Sequence, residues 1–136
     1  MDKFIGKWQL ASSDKLKEYM DAVEVAEEFQ QKALAVLNLE AKPTHEFSQD
    51  GDKYTLKTIT GTKTEEMTFK LGEEFEHTAF DGRTGKVLLT MDGDVLVEKW
   101  TMNDLSSLNK RVVSGDELTY TLTAKDVVCT RKYNRV

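Results

Sequence analysis

The chain has 136 residues, enough for one domain, spanning residues 1–136, with a hydrophobic core that needs no metal or disulfide support. Its 24 acidic and 19 basic residues give a net charge of −5, which argues against a general nucleic-acid-binding surface. One cysteine, Cys129, rules out an intrachain disulfide and fits a reducing compartment. No apolar run approaches membrane-spanning length, and the Met1–Phe4 start has no apolar signal-peptide core. The expectation is a cytoplasmic chain, with nuclear access by diffusion left open.

In chain order, Phe4–Leu10 reads as a strand with Phe4, Gly6, Trp8 and Leu10 on one face. Ser12-Ser13-Asp14 then offers helix N-caps. From Lys15 the period changes: Leu16, Tyr19, Met20 and Val23, then Phe29, Ala33, Val36 and Leu37, follow helical spacing until Lys42-Pro43. One straight helix of about 25 residues would span roughly 37 Å, too long for so small a domain. A break is therefore predicted at Ala22–Ala26, with Glu27 and Glu28 in the first turn of a second helix.

After Pro43 the helical signal stops. Alternating runs follow at residues 44–49, 53–60, 65–71, 75–80, 86–91, 95–101, 105–113, 118–124 and 127–135, most of them separated by Asp-Gly or similar turn residues. Such turns predict antiparallel neighbours. With the first strand there are ten. This pattern predicts an all-β, ten-stranded antiparallel up-and-down β-barrel, closed or nearly so and wide enough to hold a ligand. The helix-turn-helix pair, about residues 15–39, falls between strands one and two. It cannot join the sheet, so it is expected to lie across a barrel end as a lid.

The last strand carries the sharpest chemical signal. Val127, Cys129, Arg131 and Tyr133 share one face; Val128, Thr130, Lys132 and Asn134 share the other, polar one. An inward arginine needs a partner, because an unpaired buried charge is costly. Alternation also groups Ser107, Asn109, Arg111 and Val113, groups Leu118, Tyr120, Leu122 and Ala124, and groups Leu56, Thr58 and Thr60. If Arg111 and Arg131 both point inward with no acid between them, a bound carboxylate resolves the conflict, and arginine's planar fork suits it. An internal pair of Arg111 with Glu98 or Asp116 is the rival reading.

Gly6-Lys7-Trp8, Tyr19-Met20, Lys42-Pro43-Thr44, the stretch from Phe69 to Phe75 and Cys129-Thr130-Arg131-Lys132-Tyr133 together resemble the intracellular lipid-binding proteins, most closely their fatty-acid-binding branch. The resemblance runs in order over nearly the whole chain. It implies a ten-stranded barrel with a helical lid and a partly hydrated cavity. It also implies a carboxylate-binding triad, here Arg111, Arg131 and Tyr133. By the same resemblance Thr62 and Lys63 fall in one portal turn and Asp81 in another. Three features depart from the family pattern: Leu16 stands near a usual aromatic, about five extra residues lie between Val23 and Pro43, and Glu24 stands where the interhelical turn usually has glycines. The basic cluster that some members use for nuclear import has no counterpart at residues 27–32.

The expected function is a non-catalytic carrier of long-chain fatty acids or related lipid carboxylates, monomeric and without cofactor. A retinoid or other hydrophobic-acid carrier signalling to a nuclear receptor is the alternative. Leu16, Tyr19, Met20 and Val23 are expected to pack the lid and border the cavity, with Thr58, Thr60, His77, Asn109, Tyr120 and Leu122 along its wall. Alternation turns His77 inward, but a lone histidine is more often a hydrogen-bonded structural residue than a ligand contact, and His45 reads as a solvated residue at a strand start. Two histidines without a cysteine cluster make a zinc site unexpected. Cys129 has no evident base beside it, and no matched acid–base pair marks a catalytic site. From Asp14 to Lys32, six acids against three lysines make the lid acidic. Mainly diffusional ligand release is expected, with only transient contact with membranes.

Overall fold

The computed structural model describes residues 1–60, 63–79 and 81–136. A short 3-10 turn (Asp2–Phe4) leads into β1 (Gly6–Asp14), followed by α1 (Leu16–Ala22) and α2 (Glu27–Val36). Nine strands complete the chain: β2 (Thr44–Asp50), β3 (Lys53–Thr60), β4 (Lys63–Phe69), β5 (Phe75–Thr78), β6 (Thr84–Asp92), β7 (Val95–Met102), β8 (Leu105–Ser114), β9 (Glu117–Ala124) and β10 (Val127–Arg135). They form one antiparallel sheet in the order β4-β3-β2-β1-β10-β9-β8-β7-β6-β5. β1 beside β10 brings the chain ends together and curls the meander into a nearly closed barrel.

Two expectations about the sheet need correction. The first strand begins at Gly6 rather than Phe4 and runs on through Ser12-Ser13-Asp14, which were expected as helix caps. These residues pair instead with Lys132, Arg131 and Thr130 after a bulge between Leu10 and Ser12. Backbone pairing to β10 outweighs the local capping preference, and Lys15, at φ 65°, becomes the N-cap of α1. The antiparallel pairing of neighbours also fails once, since β4 and β5 are the two outer strands of the order. The segment between them turns away, and Gly72 N–H donates to the Leu89 carbonyl on β6 (2.9 Å).

Alternation follows the residue types. Ser107, Asn109, Arg111 and Val113 of β8 are buried while their neighbours face solvent. The hairpin turns at Asp92-Gly93 and Ser114-Gly115 place their glycines at φ +61° and +62°, a left-handed conformation that glycine adopts without steric cost. One apolar cluster, around Trp8, Phe47, Leu89, Leu96 and Leu118, fills the end of the barrel away from the helices. A second joins the helices to the β9–β10 turn through Met20, Val23, Val25, Ala33 and Ala124. The helices therefore cap one barrel end, and the second cluster is what holds them there.

The helical stretch breaks between Ala22 and Glu27, as its length requires. The turn lacks glycine, yet Glu24 takes φ 57° there, a conformation costly for a residue with a side chain. α2 stops at Val36, short of the predicted extent. Asn38 donates its side-chain amide to the Leu34 and Ala35 carbonyls, and its Oδ1 accepts from Ala41 N–H, which satisfies the helix end.

Candidate functional site

The register of four adjacent strands lines up the chemistry. Arg111 on β8 sits opposite Tyr120 on β9, Tyr120 opposite Arg131 on β10, and Arg131 opposite Ser13 on β1. The row points inward: Arg111 is 2% exposed and Arg131 4%. Tyr133, one inward position along from Arg131, is also buried. The sequence reading that turned these side chains into the barrel agrees with this placement.

The two guanidiniums have different surroundings. Arg131 donates through Nε to the Tyr133 hydroxyl (3.2 Å), through one terminal nitrogen to Ser13 Oγ (2.8 Å), and through the other to the Leu37 carbonyl (2.9 Å). Among the described residues no carboxylate pairs with it. Arg111 donates to Glu98 Oε2 at 2.6 Å, both side chains being almost fully buried. Its guanidinium also lies over the Tyr120 ring, 3.8 Å from the centroid. Its Nε has no hydrogen-bond partner among the described residues. The premise of two inward cations without an acidic neighbour is thus corrected: Glu98 supplies the acid, and the internal-pair rival describes Arg111. Burial alone would lower the Arg111 pKa, but Tyr120 and Glu98 more than offset it, and the group is held above its usual value.

Glu98 is the centre of a wider network. Its Oε1 accepts from Trp100 Nε1 (2.6 Å), and its Oε2 also accepts from the Tyr120 hydroxyl (3.2 Å). Asn109 donates to the Tyr120 oxygen (3.4 Å) and accepts from Ser107 Oγ (2.6 Å), which lies 2.6 Å from the Tyr19 hydroxyl of the lid. Burial pushes the Tyr19 phenol up to about 12 and Tyr120 well above the usual phenol range. Both remain protonated donors across the physiological range.

His45 is buried, contrary to the expectation of a solvated residue. It shares a β2 face with Phe47 and stacks on Tyr133 with ring centroids 4.6 Å apart. Burial, then Arg111 and Arg131, lower its pKa to about 3, so the imidazole is neutral. Its Nδ1 has no partner among the described residues.

These groups border a cavity of about 280 Å³, with apolar wall from Met20, Val23, Leu56, Met67 and Leu122. Of the residues expected at the cavity or portal, Leu16, Tyr19, Met20, Val23, Thr58, His77, Asp81, Asn109, Tyr120 and Leu122 line it, together with Arg111, Arg131 and Tyr133. Thr60 and Lys63 do not; they pair with each other where β3 meets β4. Thr62 lies outside the described residues. His77 packs edge-on to Phe75 and Trp100. Cys129 is buried, and burial pushes its thiol up to about 11, which leaves it unreactive at neutral pH.

The sequence reading named Glu98 only as a rival partner of Arg111 and placed Ser107 on the inward face of its strand, but it missed Trp100 and Arg83 at the cavity. Arg83 is held by Asp81 (2.6 Å) and donates to the Val23 carbonyl at the end of α1 (2.8 Å). With Arg131 on Leu37 and Tyr19 on Ser107, three polar contacts fasten the lid.

A ten-stranded sheet with a helical pair after β1, closed over a cavity with inward arginines, has close counterparts among known proteins. The family model described as the lipocalin/cytosolic fatty-acid binding protein family matches residues 5–136. The chain belongs to this family. A squid (Doryteuthis pealeii) protein named sodium/calcium exchanger regulatory protein 1 is 38% identical, covering 96% of this chain and 95% of its own. Mouse fatty acid-binding protein 12 is 36% identical, covering 100% of this chain and 99% of its own. Cellular retinoic acid-binding protein 1 of Takifugu rubripes is 36% identical, at 99% coverage of both chains. Among solved structures, a Schistosoma mansoni fatty acid binding protein in complex with arachidonic acid superposes with a TM-score of 0.91 at 32% identity, covering 100% of this chain and 98% of that one. No helix among the described residues is long and apolar enough to cross a membrane.

Proposed function

We propose that this chain is a non-catalytic carrier that binds a long-chain fatty acid or related lipid carboxylate in its cavity and delivers it within the cytoplasm. The observation that carries the reading is Arg131. It is a buried guanidinium with hydrogen bonds but no ion pair among the described residues, beside the Tyr133 hydroxyl and at the wall of a cavity otherwise largely apolar. An unanswered buried cation is costly, and a carboxylate there relieves the cost. The acyl chain lies along the apolar wall, where burial gains about 0.8 kcal/mol per methylene. A chain of about sixteen carbons therefore gains on the order of 10 kcal/mol gross, enough for useful affinity after ordering costs. The volume, about 280 Å³, is near the lower end of ligand pockets, in keeping with one slender chain.

Family membership and a relative that binds fatty acid support the reading. A retinoid or other hydrophobic acid is the second reading, favoured by the retinoic acid-binding relative. Competition between hexadecanoate and retinoic acid for the cavity separates the two. The head-group seat itself is tested with Arg131→Ala: fatty-acid affinity falls strongly, while that for the matching lipid alcohol falls less. Equal losses for acid and alcohol overturn the seat.

A further inference from the structure

We infer that Glu98 is a charge-specificity residue: by pairing with Arg111 it limits the cavity to singly charged head groups. The inference rests on the carrier reading above and adds the rule by which the cavity selects its head group.

Among the described residues, the buried charges near the head-group seat are Arg111, Arg131 and Glu98. Two guanidiniums against one carboxylate leave a single net positive charge, which one carboxylate neutralises. A head group with two negative charges overfills the site and is repelled by Glu98. The carboxylate of Glu98 is rigidly placed for this task. Three donors from β7, β8 and β9 fix it: Trp100 Nε1 at 2.6 Å, Arg111 at 2.6 Å and the Tyr120 hydroxyl at 3.2 Å. Side-chain rotation away from an incoming anion would break all three bonds in a site with little access to water. The strand register supplies the geometry, since Glu98 faces Asn109, and Arg111 is the next inward residue on β8. Arg111 keeps a donor at Nε but no unanswered charge. Anion recognition therefore falls to Arg131, and Glu98 enforces the limit of one charge.

The test compares hexadecanoate with tetradecylmalonate, the same skeleton bearing a second carboxyl on the α-carbon, at about pH 8 where both carboxyls are ionised. Affinities are measured for delipidated wild type, Glu98→Gln, the double variant Glu98→Gln/Arg111→Gln, and Arg131→Gln. The steric cost of the extra carboxyl is common to all, so the ratio of the two affinities isolates charge. Wild type is expected to prefer the monoacid, and Glu98→Gln to reduce that preference at least about tenfold, the effect of one nearby unit charge. The double variant restores the net single charge and returns the wild-type ratio. An unchanged ratio in Glu98→Gln overturns the inference. Should that variant not fold, a double variant that has lost the wild-type preference overturns it as well. Arg131→Gln tests the underlying reading separately: if it leaves hexadecanoate affinity intact, the head-group seat is wrong whatever Glu98 does.

Discussion

Acidification should destabilise this protein in large part through His45. The imidazole is buried and stacked on Tyr133, and burial, then the charges of Arg111 and Arg131, lower its pKa to about 3 from an ordinary 6.5. In the unfolded chain it takes up a proton near pH 6.5; in the folded chain it does not until about pH 3. Between these values the unfolded state binds more protons, so stability is fully present above pH 6.5 and is lost as pH falls towards 3. Each pH unit in that window is worth about 1.4 kcal/mol. From pH 6.5 down to about 4.5, His45 alone should cost on the order of 2–3 kcal/mol. The assay is urea unfolding of delipidated wild type and His45→Met at about pH 7 and about pH 4.5. Methionine keeps an apolar side chain in the site and removes the titration. Wild type should lose about 2–3 kcal/mol more than the variant over that interval. Delipidation matters, because an anion bound at Arg131 would favour the protonated imidazole and flatten the curve. If both proteins lose the same stability, His45 is not held neutral by its surroundings and the electrostatic account of the site is wrong.

Other expected outcomes concern the lid and the sheet. Arg83→Ala removes the bond to the Val23 carbonyl and leaves the buried Asp81 carboxylate without its partner, so it should speed fatty-acid exchange several-fold in stopped-flow displacement and also lower thermal stability. Gly85→Ala places a Cβ 2.4 Å from Met102 Cγ and 2.9 Å from the Thr101 carbonyl oxygen. The backbone of β7 must shift, so about 1–3 kcal/mol of stability should be lost in chemical denaturation. The acidic lid predicts that ligand transfer to vesicles is largely insensitive to anionic lipid content, and a steep acceleration on acidic vesicles would refute diffusional release.

The sequence was most legible where alternation and residue type agree. On β8 and β10 the two faces separate by one period-two pattern, and Arg111, Arg131 and Tyr133 fall on the inward one, a choice the family resemblance favoured over an outward arginine. On β7 both faces carry apolar residues: Val95 and Val97 on one, Leu96 and Trp100 on the other. Alternation therefore could not say where Glu98 points, and the choice between it and Asp116 as the partner of Arg111 stayed open until the structure gave the pair. His45 was different, since it shares a face with the buried Phe47 two residues on, and that signal was present. The reach of β1 was illegible for another reason. Ser12-Ser13-Asp14 favours a cap locally, and only pairing with a strand more than a hundred residues away makes it sheet. The helix break could be placed because a length limit applies whatever the packing.

Arg131 also holds the lid, which complicates any test of its role. One terminal nitrogen donates to the Leu37 carbonyl at the end of α2, and the other to Ser13 at the end of β1. Arg131→Ala therefore removes a charge from the seat and loosens the closure at the same time. The two effects separate by ligand. Loosening acts on anything in the cavity, so fatty acid and lipid alcohol lose it equally. Loss of the charge acts on the carboxylate alone, where a hydrogen bond to a charged group is worth about 1.5–3 kcal/mol, roughly ten- to more than a hundredfold in affinity. The difference between the two losses, rather than either alone, measures the head-group contact. A large loss shared by acid and alcohol would make Arg131 a lid fastener and return the search for the anion's partner to Arg111, whose Nε has no bond of its own.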